Sequence, residues 1–332
     1  MDAVLPVVQL IARDPAHARA SVKPGFEKGA GYVVDRMLSL DQAGVPLTDL
    51  GFMRADAVYD VVTVGRGQFF KLRNHQERFA RSCERMRLTN PYDFDQEAQI
   101  LNDLVAATGL RDAYVWWCVT RGANPANAAD RLQPAKFNNR FYAFVIPYIF
   151  IKGDEDRIAG MSINISDDFI RIPPGAVDPR AKNFCSLDLA MSLFEAGDSG
   201  ADWSVLTDGN GALMEAPGCN IFVVKDGHVA TPDIGCLEGI TRETALELAT
   251  ELGLLIETRR VTVEELQNAD EAFLTSSAGG ILPISTVSGR PLHQSAGPIS
   301  TRIHNLYWTK RWEGWCGTPV DYGQIERADV VA

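Results

Sequence analysis

Two runs dense in β-branched and aromatic residues, VYDVVTV at 58–64 and QFFKL at 68–72, flank Gly65-Arg66-Gly67, and that spacing predicts a β-hairpin. The pattern then changes to a helical period. In NHQERFARSCERMRL (74–88), Phe79, Cys83, Met86 and Leu88 fall on or near one face, and Asn74 is the expected cap. A second helix is predicted over about Asp95–Thr108, followed by the strands DAYVWWCVTRG (112–122) and FYAFVIPYIFI (141–151). Between those strands lies ANPANAADRLQP, a loop rich in small and turn-forming residues.

Beyond Lys152-Gly153-Asp154-Glu155-Asp156 the pattern becomes one of short strands and turns. WSVLTDGNGALMEA (203–216) and NIFVVKDGHVATP (220–232) read as hairpins with tips at Asp208–Gly211 and Asp226-Gly227. GITRETALELATELG (239–253) reads as a helix ended by Gly253, and EAFLTSSAGGILPIS (271–285) as strand, small-residue turn, strand. The expected organisation is an α+β N-terminal domain over 1–151, a charged linker at 152–156, and a β-rich domain with peripheral helices over 157–332.

Composition narrows the function classes. A chain of 332 residues is long enough for two cores, and a net charge of −11 argues against nucleic acid or an anionic membrane as partner. No apolar run approaches the roughly 20 residues a membrane helix needs. The N-terminal stretch has an acidic residue at position 2 and no basic leader, so it reads as a docked arm rather than a signal peptide. Six cysteines at 83, 118, 185, 219, 236 and 316 form no C-x-x-C pair, which suits reduced thiols in a cytoplasmic protein and no metal site.

The candidate chemistry starts at DPRAKNFCSLDLAM (178–191), where Lys182 stands between a proline turn and an amphipathic run. A cation is unusual there, because the N-terminus of a helix favours negative charge. Three elements elsewhere suit an anion: Gly239-Ile240-Thr241 at a helix start, the Thr275–Gly280 turn with its hydroxyls and glycines, and Arg78 on the first helix. Glu215, between Met214 and the Ala216-Pro217-Gly218 turn, is a carboxylate among apolar residues and needs a cationic partner. A lysine nucleophile, a carboxylate for a ring nitrogen and a phosphate cup together fit pyridoxal 5′-phosphate.

These residues resemble the fold-type IV pyridoxal-phosphate enzymes, or class IV aminotransferases. The carriers are VYDVVTV, FFKLRNHQERFARSCERMRL, YVWWCVTRG, DPRAKNF, LMEAPGCNIFVVKDG, LEGITRET and LTSSAGGILPIS, spread from about Gly44 to Trp308. The resemblance implies a two-domain, D-amino acid aminotransferase-like α+β fold, a smaller N-terminal domain, and a homodimer whose active sites are completed by the other chain. It implies that Lys182 forms the Schiff base and shuttles the proton, while Glu215 holds the pyridinium. Arg78, Ile240, Thr241 and Ser277 would bind the phosphate, Leu237 would pack on the ring, and Asn220 would sit near it. Tyr59 would line the substrate pocket.

The pattern is closest to the (R)-amine transaminases, through YDV, DP-x-x-KN and AGGILPI, yet the histidine that branch usually carries near Arg54 is missing. Tyr114-Val115-Trp116 replaces its Phe-x-Glu, and TRGANPANAADR lacks the P-R-x-H of the D-amino acid branch. Arg131 and Arg54 are then the candidates for the substrate carboxylate, with Tyr114 and Trp116 shaping the pocket. The resulting expectation is transfer of an amino group from an (R)-amine or D-amino acid to a 2-oxo acid such as pyruvate. The alternatives are a branched-chain L-amino acid aminotransferase and a lyase of the aminodeoxychorismate type.

Overall fold

The computed structural model describes residues 3–123, 128–293 and 296–323. The chain folds as two compact units. The first comprises Asp14–Ile149, Ala181–Cys185 and the segment from Gly314; the second comprises the residues up to Arg13, Phe150–Arg180 and Ser186–Glu313.

The first unit is built on a seven-stranded sheet. Its strands are β1 (Ala30–Val33), β2 (Arg36–Ser39), β3 (Ala57–Gly65), β4 (Gln68–Phe70), β5 (Ala113–Thr120), β6 (Arg140–Pro147) and an edge strand at Gly317–Pro319. The edge strand pairs with β4, and the order continues through β3, β5, β6 and β1 to β2. The predicted β3–β4 hairpin forms, with Arg66 and Gly67 both in the left-handed region at its tip. Alternation along the central strands sorts two faces. Val58, Val62, Val64, Val115, Trp117 and Val145 join the buried core with Phe79 and Leu101, which lie on the helices α1 (Leu72–Arg85) and α2 (Phe94–Thr108). The opposite face carries Tyr59, Tyr114, Trp116 and Phe144, with Val61 paired to Trp116 and Trp116 to Phe144.

Helix α1 starts three residues earlier than the sequence indicates. Lys71, at φ 52°, serves as its N-cap without a side-chain bond, and Asn74 lies inside the helix. Starting at Leu72 buries that side chain in the core, which outweighs the local capping preference of Asn74. By contrast, α2 begins with a full capping box, Asp93 and Gln96 bonding reciprocally.

The second unit holds an eight-stranded sheet. Its strands are β7 (Met161–Ile165), β8 (Trp203–Val205), β9 (Asn220–Lys225), β10 (His228–Thr231), β11 (Leu255–Thr258), β12 (Glu271–Ser276) and β13 (Gly280–Val287) in the order β11-β10-β9-β12-β13-β7-β8, with β14 (Arg290–Pro291) paired to β13. The β9–β10 turn places Asp226 and Gly227 both at positive φ, as a two-residue hairpin requires. Ile163, Ile221, Leu274, Leu282 and Ile284 form its core. Three longer helices, α3 (Leu187–Asp198), α4 (Ile240–Glu251) and α5 (Pro298–Trp312), belong to this unit. At Gly280, φ 67°, a Cβ would lie 2.9 Å from the Trp308 ring, so only glycine fits the turn between β12 and β13.

The expected single cut at 152–156 does not describe these units. Residues 154–159 form a short helix whose Arg157 is wholly buried, and residues 3–13 fold with the second unit, where Asp154 accepts the N–H groups of Val8 and Gln9. A charged run reads as a linker only until its charges find partners.

Candidate active site

Lys182 does not open a helix: α3 begins at Leu187, five residues on, with Ser186 at its N-cap position. The lysine instead lies in a short extended segment of the first unit, bridged to β3 between Val58 and Asn183. Its backbone carbonyl accepts from Tyr59 N at 2.9 Å, and its N–H donates to the Ser82 hydroxyl at 3.1 Å. The cation at 182 thus has a tertiary explanation, since the strand and α1 fix its backbone from both sides. The ammonium lies 3.2 Å from the Tyr59 hydroxyl and 4.2 Å from the centre of that ring.

Around it the sheet face forms an aromatic wall. Tyr59 stacks on Trp116 at 5.7 Å, Trp116 stacks on Phe144 at 5.1 Å, and Phe184 meets Tyr59 edge-on at 5.6 Å. Tyr114 continues the stack against Phe144. Trp116, Tyr59 and Tyr114, all expected near substrate, therefore share one surface beside the lysine, and Phe144 and Phe184 join them.

Arg78 lies on α1 in the same unit, buried, and its fork grips Asp60 through Nε at 2.9 Å and Nη2 at 2.7 Å. His75, one turn earlier, donates from Nδ1 to the same carboxylate at 2.8 Å. Burial alone would raise the Asp60 pKa, but Arg78 and His75 reverse that and hold the carboxyl far below its usual range. Burial pushes His75 below the ordinary imidazole value, against the pull of Asp60, with the charges of Arg78 and Lys182 adding to the shift. Asp60 is legible in hindsight as the one charge inside VYDVVTV.

In the second unit, Glu215 is buried as expected, but its first partner is one the sequence did not disclose. Arg171 Nε donates to its Oε1 at 2.7 Å, and Leu237 N donates to Oε2 at 3.0 Å. Arg171 also reaches Asp188 at 2.6 Å. The buried Glu215 and the half-buried Asp188 share one guanidinium, two carboxylates to one cation, an excess that a cationic ring nitrogen would balance. Asn220, at the start of β9, donates to Leu237 O at 2.8 Å and so holds the backbone of the residue expected over the ring. Gly239 is required beside it: a Cβ there would lie 2.1 Å from Asn220 Oδ1.

Gly239 is also the N-cap of α4 and supplies no side-chain bond to the first turn, where Ile240 and Thr241 are buried. On β12, in register with Asn220, the Thr275 hydroxyl is buried with no hydrogen-bond partner among the described residues. Ser277 occupies the turn that follows. An uncapped helix start and an orphaned hydroxyl are what an anion such as a phosphate monoester would satisfy, so these residues fit the group the sequence suggested. Arg54 ends a short helix, exposed, and the Arg131 side chain lies outside the described residues. Among the described residues no cluster could hold a metal ion, and no helix is long and apolar enough to cross a membrane.

Comparison with known proteins agrees with this chemistry. The family model "Amino-transferase class IV" matches residues 57–287. The branched-chain-amino-acid aminotransferase of Pseudomonas aeruginosa is 31% identical over 242 residues, 72% of this chain and 77% of that one. The D-alanine aminotransferase of Listeria innocua is 28% identical over 278 residues, 83% of this chain and 93% of that one. Among solved structures, the branched-chain aminotransferase of Thermoproteus uzoniensis with norvaline matches at a TM-score of 0.79 and 26% identity, covering 88% of this chain and 99% of that one.

Proposed function

The chain belongs to the class IV aminotransferases, and within that family we propose that it moves an amino group from an (R)-amine or D-amino acid to a 2-oxo acid such as pyruvate. Pyridoxal 5′-phosphate is the cofactor; bound, it supplies an aldehyde that takes up the amino group and a ring that withdraws electrons when the donor C–H breaks. Lys182 is the amine that anchors it and carries the proton, its Nζ held by the Tyr59 hydroxyl. Glu215, oriented by Arg171, would face the ring nitrogen and favour its protonated form. Leu237 packs on the ring with Asn220 holding its carbonyl, and Arg78, Ile240, Thr241 and Ser277 take the phosphate. A homodimer belongs to the same proposal.

The observation that supports the donor class is the wall of Tyr59, Trp116 and Phe144 beside the lysine. A donor with an aryl or bulky apolar group gains about 0.5–1.5 kcal/mol from each ring it stacks on, beyond area burial. A second reading, an L-branched-chain donor, is favoured by the Pseudomonas relative's name. Initial rates with (R)- and (S)-1-phenylethylamine, D- and L-alanine, L-leucine and L-glutamate, against pyruvate and 2-oxoglutarate, separate the two. The proposal expects the (R)-amine or D-alanine to lead; leadership by L-leucine or L-glutamate overturns it.

A further inference from the structure

Asp60 is out of place by every local rule. It lies in the middle of β3, wholly buried, on the sheet face that carries Val58, Val62 and Val64 into the core and directly opposite Trp117. An ionised carboxylate there is costly unless it is paired and fully hydrogen-bonded. It is: Arg78 takes both oxygens, and His75 Nδ1 and Val61 N donate to Oδ1. Even so, a buried ion pair seldom stabilises a fold more than apolar residues of similar volume would. Stability alone therefore does not account for a buried ion pair and its histidine partner in an otherwise apolar layer, and such local exceptions concentrate at functional sites.

The connections of Asp60 indicate what it does. The residue before it, Tyr59, contacts the Lys182 ammonium through its side chain and the Lys182 carbonyl through its N–H. The helix it grips, α1, presents the Ser82 hydroxyl to the Lys182 N–H, and Ser82 in turn donates to Arg78 O at 3.0 Å. One carboxylate thus joins the strand and the helix that fix the lysine. Its grip on the Nε/Nη2 edge sets the plane of the Arg78 fork, and a planar fork recognises phosphate only when aimed.

We propose that Asp60 is a positioning residue for phosphate recognition, holding the Arg78 guanidinium in the orientation that meets the cofactor's phosphate. The proposal rests on the assignment of Arg78 as a phosphate ligand. The test compares the dissociation constants of pyridoxal 5′-phosphate and of pyridoxal, which lacks the phosphate, for the wild-type protein stripped of cofactor and for Asp60→Asn. The expected result is a loss of about tenfold or more for the phosphorylated ligand and less than about twofold for pyridoxal. Equal loss for both ligands, or no loss for either, overturns the positioning role. If Asp60→Asn does not fold, Asp60→Glu decides the question by the same ratio, because it keeps the charge but displaces it by a methylene. Arg78→Ala tests the underlying assignment separately. If Arg78→Ala loses phosphate selectivity and the Asp60 variant does not, only the positioning role fails; if Arg78→Ala keeps it, the ligand assignment fails and the proposal with it.

Discussion

Replacing Arg171 by methionine removes the only cation bonded to Glu215 among the described residues and exposes how much of the site depends on it. The guanidinium, less than a tenth exposed, bridges Glu215 at 2.7 Å and Asp188 at 2.6 Å. Methionine matches the apolar stem but leaves the buried Glu215 and the half-buried Asp188 without their counter-ion, and breaking a buried pair in this way costs about 3–5 kcal/mol. At about 2–4 °C per kcal/mol for a domain of this size, the second unit should unfold roughly 10 °C lower. Arg171→Lys keeps the charge but cannot grip both acids, so its loss should be about half as large. Adding Asp188→Asn to Arg171→Met should restore part of the stability, because one uncompensated charge disappears. Calorimetry on the three variants measures the stability effect. Single-turnover kinetics with an amine donor measures the functional one, expected as a slower half-reaction because Glu215 loses the bond that orients it. A melting temperature within about 2 °C of wild type, together with unchanged half-reaction rates, would refute the reasoning.

Lys182→Ala should abolish turnover while leaving the thermal transition close to wild type, since the side chain is partly exposed; near-wild-type transamination in that variant would remove the central assignment. Glu97 gives a pH signature: burial, with Asp60 adding to it, raises its pKa to about 8 against 4.5 unperturbed, despite the bond from Asn90. The folded state therefore retains a proton that the unfolded state releases between pH 4.5 and 8, so stability falls as pH rises through that window, by on the order of 4 kcal/mol at its upper end. Glu97→Gln should flatten this slope in denaturant titrations at pH 5 and pH 8, and an unchanged slope would show that Glu97 is not its source.

Local pattern marked β3 to β6, the β9–β10 and β12–β13 pairs, α2 and α4, because period-two and period-3.6 burial and φ-positive turn residues act over a few positions; it did not mark β1, β2, β7, β11 or α5. It also marked Lys182 and Glu215 as chemically out of place, since a cation near a turn and a carboxylate among apolar residues are anomalies visible within one short stretch. What it could not supply is the partner that resolves each anomaly. Arg171 is 44 residues from Glu215 in the chain, and Tyr59 is 123 from Lys182. Nothing in the flanking residues distinguishes Arg171 from an exposed arginine. The same holds for the placement of Lys182 outside α3, the start of α1 at Leu72, and the packing of Phe144 and Phe184 against Trp116. Each depends on which strand pairs with which, and at what register. Desolvation makes those long-range choices: a buried charge or an apolar ring has only the partners that the folded chain brings within reach, and these are not encoded next to it.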